Sequence, residues 1–383
     1  MKVKVWNASE RYSGFTTGVG KHVINMVSGL AQRPGVDIEF VVPRDSWARD
    51  QALQPGALLA AIPSKPHPLS RRTSELLWLA CGHPKIDETE TDWVYAPRER
   101  YAPTRQAKTI VTVHDVYGFE PEYRSLRSHK APPLAEAVLR RALTHADIVA
   151  AVSSFTANRL CDLFGTEPNK VIVIGNGVEE HFFGKADVAV KDFAPQLNGD
   201  YILSVGGLTH KKGARYLLEL ARALKVAAPK VVLAITGPVE SAYQAEASTL
   251  ENVLLLGRGY SNEQMHALVA EAAVMVALSE YEGFGIPLLE AMAAGSPVVA
   301  ARRAALPEVV ADAGLVVEPS DTAAVCDAVV GVINDQALRK GLILLGRSRA
   351  RSFRWSACVD RLFQAMTNSA SGLTDSQPDG RAA

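Results

Sequence analysis

Cysteine is scarce, with four in 383 residues, at positions 81, 161, 326 and 358, and no Cys-x-x-Cys pair. That spacing excludes a disulfide framework and a thiolate metal centre, and it suits a reducing compartment. Net charge is missing too. The 41 Lys and Arg balance 41 Asp and Glu, so the overall field asks for no nucleic acid partner. No apolar run approaches the length of about 18 residues that marks a membrane span. The start Met1-Lys2-Val3-Lys4-Val5-Trp6 also lacks the apolar core and cleavage site of a signal peptide. A cytoplasmic protein without a membrane span is expected, one that can still lie against the inner face of the membrane. There is no internal repeat, and the histidines, His22, His83 and His145 among them, form no metal-ligand pattern.

What is present is alternation. Short Val- and Ile-rich runs trade places with helical patterns, the signature of parallel sheet with crossover helices, and the length favours two domains. In the first half strands are expected at 2–6, 37–42, 109–113, 147–152 and 170–174, with helices at 20–32, 133–144 and 154–164. Residues 46–107 are rich in Pro, Arg and Trp and show no clear period. The pattern lapses between 180 and 200 and then restarts, with strands at 201–205, 230–236, 252–256, 274–278, 297–300 and 315–317. Helices are expected there at 214–226, 262–272, 287–294, 322–334 and 336–349. This divides an α/β chain into two Rossmann-like domains, 1–185 and 198–350. A segment 351–367 carries a last amphipathic helix expected to pack back on the first domain, and a Ser-, Gly-, Asp- and Gln-rich tail, 368–383, is expected to be disordered.

The most informative stretch is Glu282-Gly283-Phe284-Gly285-Ile286-Pro287, running into Leu288-Leu289-Glu290. Its glycines free the backbone to approach a ligand, and Pro287 suits the start of a helix whose unpaired N–H groups attract an anion such as phosphate. Glu282 in the turn and Glu290 inside the helix can accept hydroxyls on either side of that phosphate. Hydroxyl, phosphate, hydroxyl describes a nucleotide-sugar. A glycine turn before a helix is common, and the dipole alone favours an early Glu, so this motif needs company.

The company follows along the chain: Gly18-Val19-Gly20, Val113-His114-Asp115, Val173-Ile174-Gly175-Asn176-Gly177-Val178, Ser204-Val205-Gly206-Gly207-Leu208-Thr209-His210-Lys211-Lys212-Gly213 and Leu306-Pro307-Glu308-Val309-Val310 running to Gly314. Together these resemble the retaining nucleotide-sugar glycosyltransferases of family 4, with the GT-B fold of two doubly wound domains facing across a cleft. The resemblance implies that residues 198–350 bind the donor and 1–185 the acceptor. It implies catalytic roles for Lys212, Glu282 and His114. Lys212 and helix N-termini would stabilise the departing diphosphate without a metal or other cofactor, Glu282 would contact the transferred sugar, and Glu290 would hold the ribose. Gly18, Gly20, Gly283, Phe284 and Gly285 would let backbone approach the donor. Many relatives carry an Arg where this chain has Gly207, and Lys211 is the residue placed to supply that second positive charge.

Mannose is the favoured hexose, with GDP-mannose ahead of UDP-sugars, because the Val-Gly-x-Leu-x-x-x-Lys stretch is similar to mannosyltransferases. The acceptor is expected to be a saccharide or a lipid-linked glycan of bacterial lipopolysaccharide or exopolysaccharide synthesis. A basic, aromatic stretch from 98 to 141, with Arg98, Arg100, Arg105, Lys108, Arg124, Arg127, Lys130, Arg140 and Arg141, could form a peripheral membrane face or an ordinary solvated one. A sugar-nucleotide epimerase of the same shape and a non-catalytic nucleotide-sugar-binding protein remain alternatives. A dinucleotide oxidoreductase is disfavoured, since Gly18-Val19-Gly20 lacks the third glycine of that fingerprint.

Overall fold

A computed structural model describes residues 1–6, 17–48, 59–124 and 133–371. The first half holds β1 (Lys2–Trp6), α1 (Gly18–Ala31), β2 (Asp37–Val42), β3 (Ser64–Pro66), α2 (Arg71–Ala80), β4 (Trp93–Ala96), β5 (Lys108–Val113), α3 (Pro133–His145), β6 (Ile148–Ala151), α4 (Ser154–Phe164) and β7 (Val171–Val173). The second holds β8 (Tyr201–Val205), α5 (Ala214–Ala227), β9 (Val232–Thr236), α6 (Ser241–Ala247), β10 (Val253–Gly257), α7 (Asn262–Glu271), β11 (Val274–Ala277), α8 (Ile286–Ala294), β12 (Val298–Ala301), α9 (Leu306–Val310), β13 (Leu315–Val317), α10 (Thr322–Asn334) and α11 (Gln336–Arg351), before a closing α12 (Trp355–Ser371).

Both sheets are parallel, ordered β3-β2-β1-β4-β5-β6-β7 and β10-β9-β8-β11-β12-β13. Each therefore reverses direction once, between β1 and β4 and between β8 and β11. In such sheets ligands bind beyond the strand carboxyl ends at that reversal. Several helices begin on side-chain caps: Thr17 accepts from the Gly20 N–H on α1, Ser153 from Thr156 on α4, and Ser261 and Gln264 form a capping box on α7.

Several expectations change. Residues 46–107 contain β3, α2 and β4. All four residues of β4 are buried, so a central strand covered on both faces leaves no alternation to read. The α2 helix hides its apolar face because Glu75 is buried there, paired with Arg100 at 3.0 Å. Residues 18–20 form the first turn of α1 rather than a loop. The segment between 180 and 200 is packed, with Phe182, Val190, Ala194 and Leu197 buried in the large core that also holds both sheets' facing residues. Of the tail, residues 368–371 continue α12, where Lys108 Nζ donates to the Ser369 carbonyl and Oγ; residues 372–383 lie outside the described residues.

The closing helix lies on α1. An added Cβ at Gly29 would fall 2.5 Å from Val359 Cγ2, so the glycine sets how closely the two helices approach. Arg361 donates to the Ile174 carbonyl at 2.9 and 2.6 Å. Val178 bridges Arg354.

Candidate functional site

At the second reversal, the chain leaves β8 through Gly206 and Gly207, both with positive φ (115° and 100°). Gly206 leaves room for a side chain. A Cβ there would sit 2.6 Å from Lys212 Cε, so the lysine lies along the bare backbone and its Nζ reaches Glu282 Oε1 at 2.5 Å. Ser279 Oγ donates to the same carboxylate oxygen at 2.9 Å. Lys212 and Glu282 thus meet beyond β8 and β11. At Gly207 a Cβ would run into the Pro238 backbone, which is the physical reason this chain cannot carry the family's Arg in this conformation. Lys211 reaches across to the other wall instead, pairing with Asp115 at 2.6 Å beside the Tyr117 ring. Burial alone would raise the Asp115 carboxyl, but the Lys211 ammonium outweighs it and holds the group below its usual value. Asp115 also accepts from the Tyr117 N–H at 3.1 Å.

The turn before α8 is spent partly on closing the two domains together. A Cβ at Gly283 would overlap the carbonyl oxygen of His114, and Thr156 Oγ1 donates to the Gly283 carbonyl at 3.3 Å. Phe284 turns its ring into the core against Phe353, leaving only its backbone for a ligand. Gly285 caps α8 with φ +106°. The N-terminus of α8 faces that of α1, since Gly18 lies against the Ile286 side chain. Each of these first turns carries the positive end of its helix dipole. Gly20 spends its N–H on Thr17, so its contribution is the shape of that turn. Elsewhere along the cleft Glu308 caps α4 of the opposite domain, accepting from Ser154 and Phe155 N–H groups at 2.9 and 3.1 Å. Tyr281 donates to Glu120 at 3.0 Å, and Glu120 in turn holds Arg159.

His114 follows β5, and its Nε2–H donates to the Pro97 carbonyl at 2.9 Å while its own N–H is held by Glu99. Its ring meets His22 edge-on, with centroids 4.7 Å apart. His22 is fully buried, and its Nδ1 bonds Asn176 Oδ1 at 2.7 Å. Burial first, and the neighbouring His114 second, hold His22 well below the ordinary histidine pKa. The unfolded chain takes up a proton near pH 6.5 that native His22 refuses, about 1.4 kcal/mol per pH unit for one group. Stability is therefore full above that pH and falls as pH drops through it. A His22→Gln variant is expected to flatten the loss of urea-unfolding free energy between about pH 7.5 and 5.5. An unchanged slope would assign the acid sensitivity to His67, His181 and His266, which burial also lowers.

Two site residues went unnoticed in the sequence. Lys21, in the opening turns of α1, forms an ion pair with Glu290 of α8, and Glu179 Oε2 lies 4.0 Å from the same ammonium. All three side chains are at most 13% exposed. Burial pushes the Glu290 carboxyl up, Lys21 opposes this and Glu179 adds to it. A signal for Lys21 was available: α1 begins without an acid in its first turn yet carries a cation there, against the helix dipole. Nothing local marks Glu179.

Part of the basic stretch is occupied within the chain. Arg100 pairs with Glu75, Arg140 with Glu136, and Arg141 lies over Tyr101. Arg127 and Lys130 lie outside the described residues. Among the described residues no helix is long and apolar enough to cross a membrane, and no three His, Cys, Asp or Glu side chains converge as a metal site.

Comparison with known proteins agrees with this fold. The Glycosyltransferase Family 4 model matches residues 16–182 and the Glycosyl transferases group 1 model residues 187–349. The O-antigen chain mannosyltransferase B of Escherichia coli is 25% identical over 95% of this chain and 99% of its own. The MMP alpha-(1->4)-mannosyltransferase of Mycolicibacterium hassiacum is 32% identical over 43% of this chain and 39% of its own. Among solved structures, Anabaena HepE in complex with UDP-glucose superposes with a TM-score of 0.67 at 18% identity, covering 97% of this chain and all of that one. Two Rossmann-like domains and two family models that together run from residue 16 to residue 349 lead to one assignment. This chain belongs to the family 4, group 1 glycosyltransferases and has the GT-B fold.

Proposed function

We propose that the protein is a retaining hexosyltransferase that moves a hexose, mannose before others, from a nucleotide-sugar to a saccharide or lipid-linked acceptor in bacterial lipopolysaccharide or exopolysaccharide synthesis. The observation that carries this reading is the Lys212–Glu282 pair at the sheet reversal, beside the N-termini of α1 and α8. The full-length likeness to an E. coli O-antigen mannosyltransferase favours mannose, and the UDP-glucose complex of a structural neighbour keeps UDP-sugars in view.

In this reading the donor separates Lys212 from Glu282. The ammonium turns to the diphosphate, and Glu282 accepts hydroxyls of the sugar. As the bond from the anomeric carbon to the phosphate oxygen breaks, Lys212 and the two helix ends meet the growing negative charge, a role that needs no metal ion. The acceptor hydroxyl bonds to the anomeric carbon on the same face, and its proton passes to the departing phosphate oxygen. His114 has committed its Nε2–H to Pro97, so its Nδ1 is the atom left to accept a sugar hydroxyl. Glu290 holds the ribose.

The test is thermal unfolding with GDP, UDP, ADP and TDP and their sugar conjugates. One nucleotide is expected to raise the midpoint of the wild type, as a ligand of the native state must, and to leave Glu290→Ala unmoved. No shift with any of them would reject the donor assignment.

A further inference from the structure

The Lys21 arrangement holds one charge too many. Two carboxylates, Glu290 and Glu179, share one ammonium, and all three side chains are largely removed from water. Glu290 makes the close ion pair. Glu179 stands 4.0 Å from Nζ, and among the described residues neither of its oxygens accepts a hydrogen bond. A buried carboxylate without donors costs free energy unless something supplies them. Glu179 follows the buried Asn176-Gly177-Val178 turn of the first domain, and Lys21 lies over the Phe182 ring from the segment that follows. The ammonium therefore has two anionic seats, one in each domain, with only the second-domain seat closely bonded here.

We propose that Lys21 is an exchangeable counter-ion of the donor site, moving from Glu290 to Glu179 and the donor's phosphate when ribose hydroxyls claim Glu290. This rests on the nucleotide-sugar reading above. An ammonium has three N–H donors, so Lys21 can keep Glu179 while directing another donor at an oxygen between the α1 and α8 N-termini. Glu179 makes the exchange affordable, because Lys21 can let go of Glu290 without becoming a buried unpaired charge. The device ties two events together: the ribose end of the donor releases the cation that the phosphate end then uses. A nucleoside lacking phosphates must break the Lys21–Glu290 pair and receives nothing in return.

Titration calorimetry with the diphosphate and the matching nucleoside, GDP with guanosine and UDP with uridine, separates the possibilities. Lys21→Met is expected to weaken binding of the preferred nucleoside diphosphate by about tenfold or more, while the nucleoside binds as well as to wild type or better. Lys21→Arg is expected to retain most of the diphosphate affinity, which also guards against a folding defect in the Met variant. Glu179→Gln is expected to weaken the diphosphate and leave the nucleoside unchanged. Equal weakening of both ligands by Lys21→Met, or of neither, overturns the exchange and leaves the glycosyltransferase reading standing. Failure of the wild type to bind any nucleoside diphosphate removes both.

Discussion

Replacing Lys212 with alanine will lower the rate of sugar transfer by about 10²- to 10³-fold, the usual loss when one preorganised charge stabiliser is removed. The effect belongs in kcat, because the interaction strengthens as charge develops on the departing diphosphate. The side chain is well placed for this: Gly206 gives it a bare backbone to lie on, and Glu282 holds it aimed into the cleft. The truncation also strips Glu282 of its bonded cation while keeping the hydrogen bond from Ser279. A double variant, Lys212→Ala with Glu282→Gln, separates the two losses. If the rate falls because of an unpaired Glu282, the second change will recover part of it; if the diphosphate has lost its stabiliser, it will not. Turnover within about threefold of wild type in Lys212→Ala would reject the mechanism.

Gly283→Ala should be nearly as damaging without touching a charge. Its new methyl group would overlap the His114 carbonyl oxygen, which is backbone at the end of β5 and cannot rotate away. The second-domain wall must then retreat from the first by more than an ångström, and a misplacement of that size costs on the order of 10²-fold. A fall of about that size in kcat/KM is expected, with a larger radius of gyration by solution scattering and with nucleotide still binding the second domain. Wild-type kcat/KM in this variant would mean that the Gly283–His114 contact does not form during turnover.

The second sheet was legible almost strand for strand, because β8, β9, β11 and β12 are short runs of Val, Ile, Leu and Ala between glycine or charged turns. Lys212, Glu282 and Glu290 stood out in the sequence by the glycine turns beside them. Legibility failed where partners are distant. Lys21 and Glu290 are 269 positions apart, and neither residue says locally that the other will neutralise it. The α2 helix was hidden for the same reason, since burying Glu75 depends on an arginine that arrives later in the chain. Gly283 was read as access for a ligand, and its smallness also serves the contact between domains. A glycine's missing side chain can make room for substrate or for another strand end, and sequence does not distinguish these uses.

The α12 helix gives the molecule a definite order of assembly. The Val23, Met26 and Val27 face of α1, together with Val178, shares its core with Cys358, Val359 and Leu362, residues that leave the ribosome only after the whole of β8 to α11 has been made. The half of the chain synthesised first is therefore finished last, and during translation it waits with an apolar flank uncovered until α12 emerges.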